Sequence, residues 1–274
     1  GYLVVRKEDD TTKVHLSEVS SIVLQTNQVY ISAYLLSELA KEKISFVVAD
    51  EKCSPIGHYL PLYGSHNTSK RIAEQLEWGE PIKKRVWQRV VKDKIAHQGM
   101  ILNARAREAE GEVLLGLVSD VRSGDTTNRE ASAARIYFQA LFGPGFSRDD
   151  DMPVNAALNY GYSILLSAVS REIVSRGYLT QCGICHRNEY NQFNLSCDLM
   201  EPFRPIVDRL VFDNIEDSFE KEDRYLLVDM LNQSVSYRGG MYRIGSVIGL
   251  YVQDCFAALN RRLSIDEIEP FDVL

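Results

Sequence analysis

Long apolar runs are missing from this chain. No stretch approaches the ~18 consecutive apolar residues needed to span a bilayer. The opening residues, GYLVVRKEDD, lack a basic segment followed by a long apolar core, so they do not read as a secretory leader. They also lack an initiating Met, so a tag remnant or a missing start is expected. Cysteine is scarce: the five present are odd in number and irregularly spaced, which does not read as a disulfide framework. A reducing cytoplasm is therefore the expected compartment. Positive charge is not in excess either. Lys and Arg total 31 against 38 Asp and Glu, a net charge of −7. That balance counts against a generally polyanion-binding surface but leaves a local basic stripe open. Internal repeats and low-complexity tracts are absent from the sequence.

What is present suits a globular protein. With 274 residues, 45% hydrophobic and 25% charged, the chain can fill one large or two smaller domains. Residues 1–70 read as a β-rich module. Val14–Leu16 and Ser21–Leu24 are strand-like. Ile31–Glu42 has helical spacing, and Ile44–Ala49 is a short apolar run of the kind found in buried strands. Ser54-Pro55 and the region 61–67 supply turns, and Ser69–Gly79 is polar and connecting. From Pro81 onward the pattern is helical. Expected helices are the basic segment from Ile82 to Leu102, then Asn103–Val121, Arg129–Phe142, Val154–Arg176, Glu222–Leu231 and Gly245–Arg262. Residues 124–128 form a loop ending in capping residues, residues 143–153 a Gly/Pro/Asp loop, and Gly177–Ser196 is largely loop. Asp198–Phe212 is a helix interrupted by proline. The expected class is α+β: a small β-rich N-terminal domain (1–70) followed by a larger all-α catalytic domain (78–274).

The polar chemistry concentrates between Cys182 and Pro205. His186 is followed by Asp198 and Glu201, which three-residue spacing places on one side of a helical first turn. Imidazole and carboxylate ligands suit Mg²⁺ or Mn²⁺. The competing reading of Asp198 and Glu201 is a helix cap. Pro202 weakens it, because the residue before a proline is disfavoured in the helical region. Glu130 opens a helix, where acids are favoured by the macrodipole, or it is a metal carboxylate fixed on a rigid start. Cys182 and Cys185 with His186 match a haem-attachment pattern, which needs export. Cys182, Cys185, Cys197 and His186 could instead hold zinc, or the thiols are simply small buried groups. Lys83, Lys84, Arg85, Arg89 and Lys92 form either a solvated face or a phosphate-contacting stripe, with Trp87 packing inward.

Taken together, NREASAARIYF (128–138), DMPVNAALNYGYSIL (151–165) and HRNEYNQFNLSCDLMEPFRPIVDRLV (186–211) resemble the CRISPR-associated integrase of spacer acquisition, in the branch that travels with type II systems. WQRVVKDKIAHQ (87–98) and YRIGSVIGLYVQDCFAAL (242–259) agree with that branch. The likeness covers essentially the whole chain, and the order and spacing of these segments are specific. It implies Glu130, His186 and Glu201 as ligands of Mg²⁺ or Mn²⁺, with Asp198 in support and Asn155 and Tyr160 near the site. It also implies a metal-dependent DNA integrase and endonuclease whose reaction joins a 3′-OH of a short foreign duplex to the CRISPR repeat. Its implied partners are a second copy of itself, a dimer of a small second Cas protein in a hetero-hexamer, and other type II CRISPR proteins. The family pattern places a β-hairpin before the residues seen here, which implies a start cut short. Two other readings share some of these residues: a metal-dependent DNase without an integrase role, and a non-catalytic DNA-binding or zinc–thiol module.

Overall fold

The computed structural model describes every residue except 8, 9, 25, 27, 51–54 and 63; Ser54, assigned to a turn above, lies outside the described residues. The chain opens with an antiparallel hairpin of β1 (Tyr2–Arg6) and β2 (Thr11–His15), with Leu3 opposite Val14. The strand expected at Val14–Leu16 is therefore the end of β2, and its partner β1 was not anticipated. A three-stranded sheet follows in the order β3 (Ser21–Leu24), β4 (Ser45–Ala49) and β5 (Pro55–Tyr59). β3 and β4 are parallel, joined through helix α1 (Ala33–Lys41), and β5 returns antiparallel to β4. Ser32 caps α1, its Oγ accepting from the Leu35 N–H. Leu16, Leu39, Ile44 and Phe46 make a small core beneath.

The segment expected to be a polar connection is helix α2 (Thr68–Leu76). Its inward residue is Gln75, not an aliphatic, which hides the helical period. The Gln75 amide donates to Leu179 O (2.9 Å) and Cys182 O (3.1 Å), and its oxygen accepts from Leu179 N (2.8 Å). α2 thus anchors the start of the loop that carries His186.

The larger part is built on α3 (Glu80–Ala104), α4 (Glu108–Asp120), α5 (Arg129–Phe142), α6 (Pro153–Ser175), α7 (Asn194–Met200), α8 (Arg204–Asn214), α9 (Lys221–Asp229) and α10 (Ile244–Leu259). The helix expected over Asn103–Val121 is broken. Ala106 takes a left-handed φ of 56°, and α4 folds back onto α3. Close approach permits this: a Cβ on Gly111 would sit 3.0 Å from the Gly99 carbonyl oxygen. α5 matches its expected range, and α6 and α10 match within a residue at the start and by one to three at the end.

The larger part is not all-α. β6 (Ser234–Tyr237) and β7 (Gly240–Arg243) form a second hairpin. Val235 and Tyr237 point inward while Ser234 and Ser236 are exposed, a period of two. Arg238 and Gly239 turn the chain at φ of 50° and 73°, as a two-residue hairpin loop requires. Among the described residues, no helix is long and apolar enough to cross a membrane.

Candidate active site

One face of α3 organises the site. Lys83, Trp87, Val90, Lys94 and His97 recur at helical spacing along it. Trp87, Lys94 and His97 each meet a different part of the chain behind or within the site. Trp87 meets the His186 ring edge-on, with centroids 5.8 Å apart. Lys94 Nζ lies 2.7 Å from Glu130 Oε1 and 2.5 Å from Glu201 Oε2. His97 Nδ1 lies 2.8 Å from the Pro202 carbonyl oxygen. Lys94 belongs to the helix whose pattern is basic, yet its side chain is only 9% exposed.

Glu130 sits in the first turn of α5, and the cap that fixes this turn is Asp125. Its carboxylate accepts from Arg129 N (2.9 Å) and Glu130 N (3.0 Å). Asn128, at the capping position itself, adopts φ of 51° and makes no side-chain cap.

Asp198 and Glu201 do not share a first turn. Asp198 lies late in α7, and Glu201 begins a 3-10 turn, Glu201–Phe203, that joins α7 to α8. Prolines cause the interruption. Pro202 and Pro205 have no N–H to give to the carbonyls of Asp198 and Glu201, so the helix cannot run through. Arg204 N–H serves Glu201 O instead. Glu201 nevertheless keeps helical angles (φ −52°, ψ −42°) despite the proline after it. Asp198 is not a helix cap. It is fully buried and accepts from Ile184 N (2.6 Å), Cys185 N (3.0 Å), His186 N (3.0 Å) and His186 Nδ1 (2.6 Å). The loop is wrapped around this carboxylate. With Nδ1–H donated to Asp198, Nε2 of His186 keeps its lone pair.

Charges in the site are strongly coupled. Burial would raise the Glu201 carboxyl, but Lys94 and Arg204 outweigh it and hold it at about 2. Burial would lower Lys94, and the two glutamates outweigh it and raise it. The Asp198 hydrogen bond raises His186, and Glu201 and Glu130 are near enough to add to that. Arg204 Nη1 holds Glu201 Oε1 at 2.9 Å, and its guanidinium stacks 4.1 Å over the Tyr162 ring. The Tyr162 hydroxyl donates to Asp208, whose carboxyl burial raises to about 6.

The donor set suits a hard divalent cation: carboxylate oxygens of Glu130 and Glu201 and the free imidazole nitrogen of His186. Glu201 Oε2 is buried and lacks a directed hydrogen bond, though it is ion-paired to Lys94. Among the described residues no three His, Cys, Asp or Glu side chains are grouped closely enough to enclose an ion directly. A positive charge is already held between the two glutamates, and it belongs to Lys94. The donor types suit a metal, while Lys94 holds the place between the two carboxylates.

The remaining expected residues are scattered. Asn155 is buried in the first turn of α6. It accepts from Arg148 and donates to Ser147 O and Asp150 O (both 2.8 Å), fastening the loop before α6. Tyr160 packs against Phe219, with centroids 5.7 Å apart, while Tyr162 is the α6 tyrosine linked to the site through Arg204. The five cations do not form one stripe. Lys83 pairs with Glu80 (2.5 Å) and lines a groove with His186 and Arg187. Lys84 lies against Gly124, and Arg85 faces a different groove with Arg261 and Arg262. Arg89 is turned inward to Asp93 (2.9 Å), which also accepts from Tyr251 (2.9 Å), and Lys92 is half-buried. As for the cysteines, burial, with lesser help from the Asp198 and Glu130 charges, pushes the Cys185 thiol up to about 11, and burial raises Cys197 too. Both thiols are therefore protonated at neutral pH.

Residues 1–229 match the family model described as CRISPR associated protein Cas1. The chain is 41% identical to a CRISPR-associated endonuclease Cas1 of Neisseria meningitidis, over 76% of this chain and 69% of that protein. It is 29% identical to one from Pyrobaculum aerophilum, over 77% and 76% respectively. Its fold resembles a casposase bound to integration product (TM-score 0.79, 19% identity, 97% of this chain and 87% of that one). It also resembles a chain of a Cas6-RT-Cas1–Cas2 complex (TM-score 0.75, 22% identity, 98% and 34%). A carboxylate pair and a carboxylate-held histidine, set in this fold and in this order along the chain, thus come with a direct match of sequence: the chain belongs to the CRISPR associated protein Cas1 family.

Proposed function

We propose that this protein is a metal-dependent DNA integrase and endonuclease of CRISPR adaptation, with Glu130, His186 and Glu201 as metal ligands and Asp198 as the group that orients His186. The observation that carries the reading is the convergence of Glu130 and Glu201 on one buried cation beside His186, in a member of this family. The reaction is a transesterification. A 3′-oxygen of a short duplex forms one P–O bond in the repeat, and one P–O bond there breaks to leave a new 3′-OH. Mg²⁺ or Mn²⁺ bound there would supply Lewis-acid stabilisation of charge on the attacked phosphate. Asp198 fixes the imidazole tautomer and aims Nε2 outward. Arg204 restrains one oxygen of Glu201, leaving the other to face the site. Lys94, when it gives up the glutamates, is a cation within reach of a phosphate oxygen.

DNA would be held through its backbone in a sequence-tolerant way. Lys83 stands beside His186 and suits that role; Lys84, Arg85 and Lys92 would have to serve other stretches of DNA, and Arg89 would have to leave Asp93. The assembly would be a homodimer working with a small second Cas protein; a solved complex of the same fold, Cas6-RT-Cas1–Cas2, names a Cas2 component. The expected setting is the cytoplasm, where the repeat DNA lies.

The test is strand transfer from a labelled short duplex into a supercoiled repeat plasmid, with the small partner present, in Mg²⁺, Mn²⁺ or EDTA. Glu130→Gln and Glu201→Gln should each reduce joining by about 100-fold or more, and EDTA should abolish it. Joining that survives EDTA or both substitutions would refute the proposal. Metal-dependent cleavage without joining would reduce it to a nuclease.

A further inference from the structure

We infer that the segment over residues 268–273, with Phe271 at its centre, is a positioning device for Glu201. The inference rests on the ligand role proposed above for Glu201. It concerns residues beyond 1–229, the part that matches the family model.

The Glu201–Phe203 turn is poor in backbone hydrogen bonds of its own, because Pro202 and Pro205 offer no N–H. What packs behind the turn therefore sets its position. Phe271 provides that support. Its ring, 3% exposed, stacks on Phe203 with centroids 4.3 Å apart and planes 14° from parallel. On another side it meets the His97 ring at 4.5 Å. His97 in turn holds the Pro202 carbonyl oxygen at 2.8 Å. Tyr251 closes the cluster edge-on to both Phe203 (5.6 Å) and Phe271 (6.0 Å). Phe203 is fully buried and lies two residues after Glu201.

The segment is not loose. Asp272 N–H donates to Ser236 O on β6 (3.0 Å), and Ile268 and Val273 are fully buried. It runs from the second hairpin to the underside of the turn and clamps the turn against α3. Lys94 and Arg204 hold the two carboxylate oxygens of Glu201, and the packing behind Phe203 sets where the backbone that carries them sits. Removing the Phe271 ring would let Phe203 sink into the vacated space and draw Glu201 away from Glu130. Supporting groups of this kind typically change metal affinity by about 10–100-fold when lost.

The experiment compares Phe271→Ala, Phe271→Leu, Phe256→Ala and Glu201→Gln in the full chain. Phe256 belongs to a separate aromatic cluster with Trp78 and Tyr178, so its loss opens a core cavity of the same kind elsewhere. Mn²⁺ binding is read by electron paramagnetic resonance of the free ion, and stability by urea unfolding. Strand-transfer rate is measured well below each melting point. Phe271→Ala should weaken Mn²⁺ binding about tenfold, Phe271→Leu less so, and Phe256→Ala not at all, although both alanine variants lose stability. Raising Mn²⁺ should restore part of the strand-transfer rate of Phe271→Ala. Should Phe271→Ala fail to fold, Phe271→Leu carries the comparison. Wild-type Mn²⁺ affinity in the Phe271 variants, or an equal loss in Phe256→Ala, overturns the inference. If Glu201→Gln also binds Mn²⁺ like wild type, it is the ligand assignment that fails.

Discussion

Lys94 lies between Glu130 and Glu201, where burial alone would favour its neutral form. Two carboxylates reverse that, and together with Arg204 it keeps the Glu201 carboxyl at about 2. Lys94→Met would leave two partly buried carboxylates facing each other without a counter-charge. Breaking a buried pair in this way costs roughly 3–5 kcal/mol. The variant should therefore melt well below wild type in EDTA. Mn²⁺ should recover more stability in the variant than in wild type, because the ion then meets no competitor. Thermal unfolding with and without Mn²⁺ measures both effects. Lys94 illustrates what a residue-level reading misses. A lysine in a helix rich in Lys and Arg reads as solvated, and its partners come from distant parts of the chain. The acids and histidine were named through the family resemblance, because each taken singly has an ordinary explanation as a cap or a solvated group.

At the scale of elements, Glu130 is aimed by the start of α5, and that start depends on Asp125. Its carboxylate takes two of the N–H groups that the first turn of a helix leaves unpaired. Asp125→Ala should cost about 1 kcal/mol of stability. It should also lower strand transfer more than this loss explains, since Glu130 N–H is one of the two bonds removed. Urea unfolding and rates measured well below the midpoint separate the two effects. The sequence placed α5 correctly but pointed to a cap at the end of the 124–128 loop. Capping preference describes residue types at one position, and here the chain bends so that a carboxylate three residues earlier does the work. α2 escaped detection for a related reason. Its buried contact is an amide that bonds to the 179–182 backbone, which no hydrophobic period records.

Across the whole molecule, the N-terminal sheet meets the helical part through a small polar cluster. His58 Nε2 on β5 lies 2.7 Å from Ser45 Oγ on β4 and 3.2 Å from Ser167 Oγ on α6. The two hydroxyls are 2.6 Å apart. Burial lowers His58 to about 4, against an ordinary 6.5. The unfolded chain therefore binds this proton first. Stability is unaffected by His58 above pH 6.5 and falls as the pH drops from there towards 4, by at most about 3 kcal/mol. His58→Gln cannot take up a proton, so its unfolding free energy should vary less between pH 7 and pH 5 than that of wild type. Urea unfolding at the two pH values checks this.

The pattern of residues alone carried the α+β division, the placement of α5, α6 and α10 and the proline-broken segment after Asp198, while the ligand roles of Glu130, His186 and Glu201 came from the family resemblance. The first three are local: they follow from side-chain period and from prolines that cannot donate. Folding alone put Lys94 between the glutamates, gave Asp198 to His186 rather than to a helix end, and laid Phe271 beneath Phe203. It also scattered the basic residues of α3 and added a hairpin to the helical part. Each of these is a contact between segments distant in sequence, and its energy depends on burial and mutual distance, which no local pattern encodes.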